Sequence, residues 1–133
     1  MPLAPEVLRL NLIAQEIVPW DEAVRWFDGV DDPAKKKILD ELTFICHAAH
    51  PRKEEVDPAI RLAGLKDTFT PCVIVKKART PERGFHTLKT LPEDEWKKTF
   101  LLLLALFSLA DKRRRATVCR NGCSHEWHNL KNA

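Results

Sequence analysis

Phe100-Leu101-Leu102-Leu103-Leu104-Ala105-Leu106-Phe107 is the most apolar stretch of the 133-residue chain. With Ser108-Leu109-Ala110 it reaches 11 residues, well short of the roughly 20 that cross a bilayer. A run without a polar side reads as a helix that other elements must cover on several sides. Leu91-Pro92-Glu93-Asp94-Glu95 stands just before it and places three carboxylates at its electropositive end. This central helix is predicted over about 93–111.

Working back from that helix, prolines mark where others begin. Proline at a first helical position costs nothing, because its missing N–H would be unpaired there anyway. Thr80-Pro81 starts a helix over 81–90, and Asp57-Pro58 starts one that ends near Ala63-Gly64. Asp32-Pro33 opens a helix to about Ala49, with Asp32 as its cap. Its apolar positions Ile38, Leu39, Leu42, Ile45 and Cys46 fall at i, i+1, i+4, i+7 and i+8, a stripe along one helical face. Residues 20–28 give a short helix carrying Trp20, Ala23, Val24 and Phe27, stopped by Gly29. Residues 5–17 give another, with Val7, Leu8, Leu10, Leu12, Ile13 and Ile17 apolar.

One segment is ambiguous. Cys72-Val73-Ile74-Val75 has the β-branched content of a strand. Thr70-Pro71 before it and Lys76-Lys77-Ala78-Arg79 after it favour a helix, which we adopt. Residues 51–56 read as a charged loop. The expectation is an all-α bundle of six or seven helices in a single domain over 1–133.

Composition narrows the class. At 44% hydrophobic and 31% charged the chain is an ordinary globular sequence, and a net charge of +3 gives no general polyanion-binding character. The N-terminus Met1-Pro2-Leu3-Ala4-Pro5-Glu6 lacks the basic and apolar regions of a signal peptide. A cytoplasmic protein without a membrane segment is the simplest reading. Its four cysteines are then thiols or metal ligands rather than bridges.

The concentrated chemistry lies near the carboxyl end. Cys119, Cys123, His125 and His128 put four zinc-type ligands within ten residues. Their spacing is not that of a zinc knuckle, but Gly122 can break a helix and let the chain fold back so that all four converge. The expectation is one structural Zn2+ closing a loop over 119–128. A Cys119–Cys123 bridge and unmetallated thiols are the alternatives. Catalytic zinc is disfavoured, because His125-Glu126-Trp127-His128 is one residue short of H-E-x-x-H and the deaminase pattern is absent.

Lys112-Arg113-Arg114-Arg115 with Arg120 forms a basic patch, so Arg113, Arg114, Arg115 and Arg120 are candidate anion or nucleic-acid contacts. The blander expectation is that these cations stabilise the end of their own helix and contribute little to folding. Cys46, His47 and His50 offer a second metal half-site, read instead as a core thiol and helix-end histidines. Cys72 likewise reads as a core thiol. Nucleotide-binding loops and the nucleophile elbow of serine hydrolases are absent.

Several stretches together carry a family likeness: Trp26-Phe27-Asp28, Phe44-Ile45-Cys46, Ala63-Gly64, Thr70-Pro71, Ala110-Asp111 with Arg113-Arg114-Arg115, and Cys119 through Cys123-Ser124-His125-Glu126-Trp127-His128. Through them the chain resembles a set of small bacterial proteins known as a domain of unknown function. The resemblance implies a bacterial cytoplasmic protein and implies no activity. The residues themselves point to a non-enzymatic interaction or regulatory module with a structural zinc and a protein partner or second copy. A nucleic-acid-binding protein using 112–120 and a metal-dependent hydrolase are the rival readings.

Overall fold

The computed structural model describes residues 19–120, with side chains described as far as Ala116. These residues form six α-helices: α1 (Trp20–Gly29), α2 (Asp32–Ala49), α3 (Val56–Leu62), α4 (Thr70–Lys77), α5 (Pro81–Leu88) and α6 (Trp96–Arg120). Single 3-10 turns at Lys53–Glu55 and Glu93–Glu95 lead into α3 and α6. The all-α expectation holds. The helix expected over 5–17 lies outside the described residues.

α6 is the organising element. Phe100, the residues from Leu102 to Leu106, and Ala110 are all fully buried. α2 makes its most extensive contact with α6, and α1, α3 and α4 pack on it as well. The predicted stripe of α2 delivers Ile38, Leu39, Leu42 and Cys46 to this core, with Ala49 added and Ile45 at its margin. Phe27 of α1 stacks on Phe100 at 4.5 Å between ring centroids, and Trp26 meets the same ring edge-on at 6.4 Å. Lys97 of α6 pairs with Asp28 of α1 at 3.2 Å.

The start signals are mostly where proline and threonine place them, with local differences. Asp31, rather than Asp32, caps α2: its Oδ1 accepts from the Ala34 N–H at 3.0 Å. Thr80 Oγ1 accepts from the Arg83 N–H and starts α5. Thr70 is already helical and caps nothing, since Phe69 occupies the N-cap position of α4. Cys72-Val73-Ile74-Val75 is helical, in line with its flanking residues. The charged loop over 51–56 contains a 3-10 turn, in which Glu55 Oε1 accepts from the Arg52 N–H at 2.7 Å. The carboxylates of Glu93, Asp94 and Glu95 form the turn ahead of α6, which itself begins at Trp96 and continues past 111 to Arg120.

Gly29 ends α1 without a left-handed turn; among the described glycines, Gly64 adopts one, with φ +70°. There the Gly64 N–H donates to Arg61 O and the Leu65 N–H to Ile60 O, a paired closure of the α3 carbonyls. α2 ends differently. His50 takes a left-handed conformation, φ 50°, and its N–H donates to His47 O.

Candidate functional site

A helix leaves its last four carbonyls unpartnered, and those oxygens carry partial negative charge. Among the described residues, a basic side chain from elsewhere in the chain meets them in three helices. Lys36 Nζ of α2 donates to Lys89 O, just past α5, at 2.6 Å. Lys53 Nζ donates to Val75 O, Lys76 O and Ala78 O at the end of α4, at 2.9, 2.6 and 2.6 Å. Arg113 Nη2 of α6 donates to Ala49 O and His50 O at the end of α2, at 3.2 and 2.9 Å.

Arg113 is also 3.0 Å from Glu55 Oε1 through Nη1. This corrects the sequence expectation for the basic run. The run lies within α6, which continues to Arg120, so it does not mark that helix's end. The helix end Arg113 stabilises belongs to α2, and Arg113 is part of the fold. Arg115 lies 3.2 Å from Asp111, one turn earlier on the same helix. Lys112 and Arg114 are exposed. The side chain of Arg120 is outside the described residues.

The candidate zinc ligands divide at the same boundary. The backbone at Cys119 is helical, within α6. Its side chain, and all of Cys123, His125 and His128, lie outside the described residues. Among the described residues, no group of three or more histidine, cysteine, aspartate or glutamate side chains could hold a metal ion.

Cys46 and Cys72 are buried free thiols, as read from their apolar surroundings. The Cys46 thiol donates to Leu103 O of α6 at 3.1 Å, and burial pushes its pKa far up. Burial, with the Asp67 carboxylate adding to it, pushes the Cys72 thiol up to about 11. Neither is a thiolate at neutral pH, so neither is a ready nucleophile or metal ligand. The half-site suggested by Cys46, His47 and His50 is therefore not formed with Cys46. His47 meets His86 of α5 instead, with ring centroids 6.0 Å apart. His86 had no sequence signal, because its partner lies on a different helix.

A surface cleft of about 350 Å3 opens between α3 and α4, lined by Asp57, Ile60, Arg61, Leu65, Asp67 and Lys76. Lys76 Nζ lies 3.5 Å from Asp57 and 3.7 Å from Asp67, so its charge is balanced within the cleft. No hydroxyl or thiol nucleophile lines it. The outer face of α2 offers something else. Phe44 is 73% exposed there, beside the core-facing stripe of the same helix.

A family model described as a family of unknown function (DUF5958) matches residues 5–130. The chain belongs to this family. No curated protein and no solved structure matches the chain. Membership in DUF5958 agrees with the expected likeness to a family of unknown function, and it brings no assigned chemistry with it. Among the described residues, no helix is long and apolar enough to cross a membrane.

Proposed function

We propose that this DUF5958 chain is a non-enzymatic interaction or regulatory module whose carboxyl-terminal tail is closed by one structural zinc. The observation that carries the interaction reading is Phe44. A large aromatic side chain left in water on a helix whose other face fills the core is a natural contact anchor. Zinc rests on donor chemistry: two sulfurs and two imidazoles at Cys119, Cys123, His125 and His128 suit a tetrahedral ion. A cytoplasmic, bacterial setting belongs to the same reading, and the unbridged thiols of Cys46 and Cys72 are consistent with it.

The nucleic-acid reading is weaker for a specific reason. Arg113 is committed to Glu55 and to two carbonyls of α2, and Arg115 faces Asp111. The hydrolase reading needs an open metal position beside a base, and no residue pattern in the tail supplies it.

Two measurements test the proposal. Elemental analysis of the purified chain should find one zinc per chain, lost in Cys123→Ser. Absence of zinc from the unaltered chain refutes the tail site. Sedimentation and partner capture should differ between the unaltered chain and Phe44→Ser at equal helical content. Identical association behaviour removes Phe44 as an anchor.

A further inference from the structure

His47 lies one turn beyond Phe44 on the outer face of α2, and its imidazole meets that of His86 from α5. The ring centroids are 6.0 Å apart and the planes are 64° apart. Both side chains are exposed. Each lies in the last turn of its helix, where carbonyl oxygens favour nearby positive charge.

We propose that His47 and His86 form a two-histidine site for a divalent transition ion, separate from the ligands of the tail. An ion bonded to one nitrogen of each ring sits about 2.0–2.1 Å from both. The pair meets edge to face, so one ring must turn about its side-chain bonds to point a nitrogen at the other; a separation of 6.0 Å between centroids then leaves space for one shared ion. Exposure leaves room for water to complete the coordination. Imidazole suits zinc, nickel and copper, and a nitrogen-only pair has no soft sulfur to bias it towards thiophilic metals. Cys46, next in sequence to His47, cannot join, because its thiol is buried and bonded to Leu103 O. The bound ion would tie α2 to α5, adding a link between helices far apart in the chain. Neither Phe44 nor the tail enters this inference.

The test is a titration of the full chain with Ni2+, followed through the imidazole resonances of all five histidines. His47 and His86 should respond together with one dissociation constant. His86→Gln should weaken the response at His47 by at least about tenfold, and His47→Gln should do the same at His86. His125 and His128 report uptake by the tail separately, so failure of either site is read without the other. An unchanged His47 response in His86→Gln, or different constants for the two rings, overturns the proposal.

Discussion

Arg113 of α6 holds Glu55 at 3.0 Å while its other nitrogen bonds the last carbonyls of α2. One guanidinium thus joins α6, the turn leading into α3, and the end of α2. Both partners are largely shielded, with side-chain exposures of 20% and 15%. Arg113→Ala should cost about 2 kcal/mol, since charged hydrogen bonds contribute about 1.5–3. Arg114→Ala, at an exposed position, should stay within about 0.5. Urea unfolding of the two variants checks the difference, and equal midpoints would show that the Arg113 contacts add nothing.

Lys53 makes a second such closure. Its ammonium donates to three carbonyls at the end of α4. Lys53→Met keeps much of the stem but removes the donors, and should destabilise the chain by about 1–2 kcal/mol. Hydrogen exchange should speed up first at Ala78, whose N–H donates to Ile74 O in that last turn.

Gly84 marks where α5 meets α4. A Cβ there would lie 3.1 Å from Val75 Cα and 3.3 Å from Val75 Cγ2. The backbone contact cannot swing aside, so Gly84→Ala should destabilise by about 1–2 kcal/mol even after the helix-propensity gain of about 1. At Gly29 nothing stands within 4 Å of the added atom, so Gly29→Ala should be neutral or mildly stabilising. Paired thermal melts decide it.

Much of the fold is legible because helix periodicity and proline placement are local properties. The stripe of α2 and the all-round apolarity of Phe100 to Phe107 place the core correctly. Thr70-Pro71 outweighs the β-branching of Val73, Ile74 and Val75, since a helix there can bury Cys72 and Val75 on one side. What stays hidden is long-range. Nothing near Lys36, Lys53 or Arg113 says which helix end each will meet, and nothing near His86 names His47. Asp31 rather than Asp32 as the cap is a one-residue difference, settled by which side chain reaches the Ala34 N–H.

Thiol chemistry gives a pH-dependent prediction. Folding raises the Cys72 pKa from 9.0 to about 11, with burial the larger cause, and raises that of Cys46 further. The native state therefore keeps protons that the unfolded chain releases. This contribution is fully present below pH 9 and declines as pH rises towards 11. At pH 8 iodoacetamide should leave Cys46 and Cys72 unmodified in the folded chain and reach them in denaturant. Under the zinc proposal, a chelator should expose Cys119 and Cys123 first. Labelling of Cys72 at the rate of a free thiol would show that its burial is transient.

The basic side chains at the ends of α2, α4 and α5 bear on the order of events as the chain collapses. α3, α4 and α5 have only 7, 8 and 8 residues, below the roughly 12–15 at which an isolated helix begins to persist in water. Completion of α4 and α5 waits for cations carried by distant segments, while α3 closes on its own backbone at Gly64. Excised peptides from this region should be largely unstructured. The intact chain should gain its short helices in the same step as its tertiary packing, more slowly than a bundle whose helices nucleate independently.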